Sequence, residues 1–193
     1  MEEKKAHDTK VVIMEEALQL FAQRGYAAVS MRDIAAAVGI RASSIYHHFK
    51  GKQEIFDALV QQAHEIKDHL QKVFLTAFDK VGTVEEEPFI QAGLFFVTDY
   101  LQNEKIRPLL KVLECERFHE SAANQAWSEL LFQAPMQHEE NVFLQLQNNG
   151  LVIRGDAKEL AAEYQSAILL AYFTGNLEQL RSQLSHFYKY TFK

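Results

Sequence analysis

A single glycine, Gly39, stands between two short apolar stripes, and its spacing from its neighbours limits what the first third of the chain can build. Upstream, Ile34, Ala35 and Val38 mark the buried side of a helix starting at Ser30-Met31-Arg32-Asp33. There the serine hydroxyl can accept from exposed backbone N–H groups while Asp33 reaches back, as in a capping box. Downstream, Ile45 and Phe49 at i and i+4 turn one side of a helix from Ala42 to Phe49 inward. Ser43, Ser44, Tyr46, His47 and His48 are left on its other faces. Ala35 has no bulk beyond Cβ, Gly39 can take a positive φ, and Ile45 can wedge between the two helices. A helix, a tight glycine turn and a second short helix make the helix-turn-helix spacing.

The rest of the chain agrees with a helical reading. Glycine occurs 8 times and proline 3 times in 193 residues, too few turn formers for a strand-rich fold. A first helix is expected from an N-cap at Asp8 or Thr9, with a stripe of Ile13, Ala17, Leu20 and Phe21 and a stop at Gly25. Lys50-Gly51-Lys52 opens a longer helix with Ile55, Phe56, Leu59, Val60 and Ala63 facing inward. The net charge of −6 conceals an asymmetry. Arg24, Arg32, Arg41, Lys50 and Lys52 face one acid, Asp33, between positions 24 and 52, a surplus of four cations on an otherwise acidic chain.

That cationic module carries the chemistry a reader of duplex DNA needs. Ser43, Ser44, Tyr46 and His48 offer groups for base edges, Ser30, Lys50 and Lys52 suit phosphate oxygens, and Arg32 can reach either. His47-His48 lacks a third metal ligand nearby, and successive helical positions point about 100° apart, so no metal is expected. The run Phe21-Ala22-Gln23-Arg24-Gly25-Tyr26, then Val29 to Ala35, Val38-Gly39-Ile40 and Ser44 to Lys52 resembles the DNA-binding domain of the tetracycline-repressor (TetR) family. The resemblance runs from about Ile13 to about Leu59. It implies that Tyr46 and His48 touch DNA, that Lys52 anchors a phosphate, that Arg32 matches the second-helix arginine, and that Arg41, Ala42, Ser43 and Ser44 are the variable recognition positions. Many members carry Gly or Pro near Ser43, a difference that bears on base preference.

Beyond Glu85-Glu86-Glu87-Pro88, read as a solvated linker, the pattern predicts helices over 89–102, 106–120, 122–132, 135–149 and 158–173, and one from Leu177. The helix from Leu160 to Phe173 is apolar on more than one face, which suits a two-fold partner. Val142, Phe143, Leu146, Tyr164, Ala167, Ile168, Ala171 and Tyr172 are the candidates for a four-helix dimer contact, as the resemblance also implies; a buried central helix of a monomer is the rival. Phe95, Phe96, Tyr100, Glu114, Arg117, Phe118, Trp127, Phe132 and Tyr172 are candidates for a small-molecule pocket, although any helical core is equally aromatic. The single cysteine, Cys115, reads as a small buried hydrophobe, and with His119 alone beside it no catalytic set is assembled.

The expectation is an all-α protein with three parts: a flexible tail over 1–8, a helix-turn-helix domain over 9–55, and a ligand-binding and dimerisation domain over 56–193. No cofactor, enzyme activity or membrane partner is expected, and reducing cytosol is the expected compartment. The expected function is a dimeric repressor on a palindromic operator, released by a small apolar effector. The alternative is a DNA-binding protein that is constitutive or governed by a protein partner.

Overall fold

Ser30 and Gly39 bracket the second helix as their chemistry dictates. In the computed structural model, which describes residues 2–78 and 83–192, Ser30 is its extended N-cap and Gly39 its left-handed C-cap at φ 76°. The helices are α1 (Glu2–Arg24), α2 (Met31–Val38), α3 (Ala42–Ile45), α4 (Lys52–Phe78), α5 (Glu86–Phe95), α6 (Ile106–Glu116), α7 (Ser121–Ser128), α8 (Ala134–Asn148), α9 (Ala157–Thr174) and α10 (Leu177–Thr191). Two π-helical segments interrupt the series, Phe96–Leu101 after α5 and Glu129–Gln133 between α7 and α8. The protein is all-α, and extended pairing among the described residues is limited to the bridge between Val152 and Phe192.

The chain forms two compact units. The first takes the residues up to Ile66 together with Glu104–Trp127; the second takes Lys67 to Asn103 and Ser128 onward. The first thus holds α6 and α7, which a boundary after residue 55 assigns to the other domain. The cause is packing: α6 lies along α1, and its Ile106, Leu109, Leu110 and Leu113 are buried. The same unit also buries Ile13, Phe21, Ile34, Ala35, Ile45, Phe49, Ile55, Phe56 and Leu59. Each fully buried side chain of this size contributes about 1.5–3 kcal/mol.

Local departures have local reasons. α1 begins at Glu2, ahead of the expected Asp8 or Thr9 cap, and Leu18 is buried where Leu20 is half-buried. α3 stops at Ile45, after which His47, His48 and Phe49 are held by turn bonds to the carbonyls of Ser44 and Ile45 at 3.0–3.2 Å. Ile45 and Phe49 nevertheless both reach the core.

In the second unit α9 packs between α8 and α10, and α10 lies on α5. The cluster of Phe143, Leu146, Leu160, Ala161, Phe187 and Phe192 forms its centre. The acidic run is not a linker throughout. Glu86 and Glu87 occupy the first turn of α5, where carboxylates complement the helix dipole. They also meet α10: Arg181 binds both Glu87 oxygens at 2.9 and 3.0 Å, and Lys189 lies 3.5 Å from Glu86. Gly93 is buried on α5, and a Cβ there would come within 2.4 Å of Leu184.

Candidate nucleic-acid interface and ligand cavity

The capping box expected at α2 is complete: Asp33 N donates to Ser30 Oγ at 3.2 Å and Ser30 N donates to Asp33 Oδ2 at 2.8 Å. These bonds to Ser30, with Arg24 at 3.6 Å adding to them, hold the Asp33 carboxyl below the usual range. The one acid of the cationic module is therefore engaged within it. Ile45 and Phe49, 0% and 1% exposed, pin the short third helix and the turn after it. That anchoring leaves Arg41, Ala42, Ser43, Tyr46 and His47 exposed, with Ser44 and His48 half-buried. Tyr46 is 54% exposed, so it is no part of the core. Ser30, Arg32 and Lys50 are exposed as well.

Lys52 is placed differently from a free phosphate anchor. Its ammonium donates to the carbonyls of Tyr26 and Val29, the latter at 2.8 Å, and lies 4.3 Å from the Tyr26 ring centroid. It ties the loop after α1 to the start of α4, where Lys50 N also donates to Glu54 Oε2 at 2.6 Å. A cation the charge pattern overlooked lies in α1: exposed Lys10 stands 4.9 Å from the Phe49 ring centroid. A charge count extended to the first helix finds it.

The second unit holds an apolar cavity of about 70 Å³, partly open, lined by Phe89, Ala92, Phe96, His138, Glu139, Val142, Phe143, Leu146 and Tyr164. Glu139 is 8% exposed, and its Oε2 has no hydrogen-bond partner. Burial pushes its carboxyl well above the usual range and lowers the neighbouring His138. Burial, and secondarily Glu139, raise the Tyr164 phenol. Both π-helical segments lie in the second unit, and the first reaches the cavity. Phe96 opens the first, and Leu131, in the second, accepts a buried bond from Gln165 Nε2 at 2.7 Å. Single π turns inside α-helices recur at functional sites.

Residues 13–59, which carry the capping box, Gly39, Ile45 and Tyr46, match the family described as bacterial regulatory proteins, tetR family. Over these residues the chain carries the DNA-binding segment that this family model describes. Among curated relatives it is similar to the HTH-type transcriptional regulator TtgR of Pseudomonas putida, 39% identical over 67 residues, which are 35% of this chain and 32% of that one. It is also similar to the HTH-type transcriptional repressor KstR2 of Rhodococcus jostii, 43% identical over 74 residues, 38% of this chain and 36% of the relative. The chain thus spans about a third of the length of the curated relatives it matches. In fold, it is similar to SmeT in its triclosan complex, with a TM-score of 0.73 and 18% identity over 96% of this chain and 92% of that one. Reduced Escherichia coli NemR gives a TM-score of 0.68 and 18% identity over 96% and 98%.

The pocket candidates scatter. Phe96 alone of them lines the cavity. Glu114, Arg117, Phe118 and Trp127 fall in the first unit, and Phe118 is 76% exposed. Phe95 is exposed, Tyr100 is buried against Phe96 without lining the cavity, and Phe132 and Tyr172 are half-buried outside the lining. The residues that do line it came partly from the dimer candidates, since Val142, Phe143, Leu146 and Tyr164 face inward. Ile168 and Ala171 are buried within the chain, which leaves Ala167 and Tyr172 half-buried. Cys115 is exposed, not a buried hydrophobe. Of the described helices, none is long and apolar enough to cross a membrane.

Proposed function

We propose that this protein is a dimeric transcriptional repressor that places the segment from Ser30 to Lys50 of each subunit in the major groove of a two-fold symmetric operator. The observation that carries the reading is Tyr46, exposed on a turn whose neighbours Ile45 and Phe49 are locked in the core. A rigid backbone presenting Arg41, Ser43, Ser44, Tyr46 and His48 together supplies groove-directed groups. Arg32, Lys50 and Lys10 supply phosphate-directed charge around them. Lys52 supports this surface from behind by fixing the Tyr26–Val29 loop.

The dimer contact uses α9 and α10 rather than α8. Glu163, Ser166, Ala167, Leu170, Ser182, Gln183 and His186 line one groove along these two helices, and Leu170 is 41% and Phe173 55% exposed. The cavity of the second unit receives a small effector; the fold neighbour SmeT, solved with triclosan, supports that use. α4 runs unbroken from Lys52 to Phe78 and joins the two units covalently. An effector that binds better to a conformation with wrongly spaced half-site readers lowers operator affinity by that differential binding.

Selection of bound duplexes from a random pool tests the reading. It should yield paired half-sites about 34 Å apart, centre to centre. Arg32→Ala and Tyr46→Ala should each weaken the selected duplex at least tenfold while leaving Tm unchanged. Recovery of no symmetric site, or full affinity in both variants, would overturn it.

A further inference from the structure

Glu139 is a carboxylate side chain buried in an aromatic enclosure, with one oxygen, Oε2, lacking any hydrogen-bond partner. Buried polar groups are almost always satisfied, and an orphan that persists calls for an explanation. Glu139 lines a cavity, and Phe89, Phe96, Phe143 and Tyr164 stand around the same space. Three of these rings form one connected group, with Tyr164 lying 5.5 Å from Phe89 and 6.2 Å from Phe143 between centroids. Aromatic faces are negative and attract cations, most strongly where water is excluded. A carboxyl group and four aromatic rings lining one small, partly open space make a complementary environment for positive charge. Neutral apolar ligands would leave the Glu139 oxygen as unsatisfied as before.

We infer that the effector is an organic cation, a protonated amine on an apolar body, whose ammonium pairs with Glu139 while its body lies against Phe89, Phe96 and Phe143. The assignment rests on the reading of this cavity as the effector site, and it specifies the chemistry of that site. Burial raises the Glu139 carboxyl well above its usual range, so it holds its proton more tightly than a free glutamate does. A neighbouring ammonium favours the ionised carboxylate, and the pair formed is neutral overall. Among the lining residues, the other groups able to titrate are His138 on α8 and Tyr164 on α9; α5 contributes Phe89, Ala92 and Phe96, none of which ionises.

The test uses the full chain and two probes of equal size, benzylamine, which is cationic at pH 7, and benzyl alcohol, a neutral donor. Calorimetric titration should show benzylamine binding at least tenfold tighter than benzyl alcohol. Glu139→Gln should bring the two within threefold of each other by weakening the amine alone. Glu139→Leu is the second variant, and it should abolish the preference in the same way. Equal binding of the two probes to the unaltered protein, or an undiminished amine preference in both variants, overturns the inference. Binding of benzyl alcohol alone leaves the cavity reading standing and removes the cation. Binding of neither probe overturns both. Glu139-dependent amine binding that leaves operator affinity unchanged supports the inference and removes the regulatory reading.

Discussion

Adding one methyl group at Gly93 measures how tightly the second unit is closed. A Cβ at this position lies 2.4 Å from Leu184 Cδ1 and 3.0 Å from the Tyr164 hydroxyl. Ordinary carbon contacts are about 3.5–4.0 Å, so Leu184 must retreat by more than about 1 Å. Leu184 is itself 0% exposed and has nowhere free to go. Overpacking of this kind costs about 3 kcal/mol at the upper end of its range. Replacing a helical glycine by alanine returns about 1 kcal/mol through backbone entropy. The net is about 2 kcal/mol, which for a chain of this length lowers Tm by roughly 4–8 °C. Thermal denaturation followed by circular dichroism reads this directly. A double-mutant cycle supplies the mechanism. Leu184→Ala alone should cost about 2–5 kcal/mol, and the double variant should lose at least about 1 kcal/mol less than the sum of the two single changes, because the new methyl occupies vacated space. An unchanged or higher Tm for Gly93→Ala, or strict additivity, would refute the packing argument.

Lys52→Met should lower stability by about 1–2 kcal/mol, since it strips the carbonyls of Tyr26 and Val29 of a charged donor. Urea titration checks it, and an unchanged midpoint with weakened DNA binding would instead make Lys52 a phosphate anchor. Glu139→Gln should alter the pH dependence of stability. The folded chain retains a proton that an unfolded glutamate gives up near its ordinary value of 4.5, so the stability of the unaltered protein relative to the variant is greatest below that pH and falls as pH rises. His138 and Tyr164 are common to both proteins, and parallel curves above pH 5 would contradict the assignment. Leu170→Arg, a charge placed on the exposed α9 face, should shift sedimentation from dimer to monomer while Tm of the monomer is preserved.

The first third of the fold was legible because its signals are local and stereochemical. Ser30 and Asp33 cap a helix across three residues, Gly39 supplies the one conformation a side chain resists, and Ile45 and Phe49 share a face. None of these depends on what packs from afar. The second unit was legible only as helices. Whether an aromatic faces a cavity, a neighbouring helix or solvent is decided by tertiary packing, so Phe96 and Phe95, adjacent in sequence, part company at the cavity. The same reasoning explains α9, whose several apolar faces pointed to a partner subunit. α8 and α10 cover most of them, and a narrower strip around Leu170 and Phe173 remains. Glu86 and Glu87 looked like solvated linker because charge runs usually are; their partners Arg181 and Lys189 lie about a hundred positions away, beyond any local window.

Salt dependence tests the central claim most directly, namely that the surface from Ser30 to Lys50 meets the backbone and major groove of duplex DNA. Affinity for a selected duplex, measured by fluorescence anisotropy across a salt series, should fall linearly on logarithmic axes with the slope set by the number of phosphates neutralised. Lys50→Ala should make that slope shallower by about one for each subunit engaged while sparing sequence preference, whereas Tyr46→Ala should leave the slope and weaken the selected sequence most. A slope near zero, or one that neither Lys50→Ala nor Arg32→Ala changes, would contradict the account.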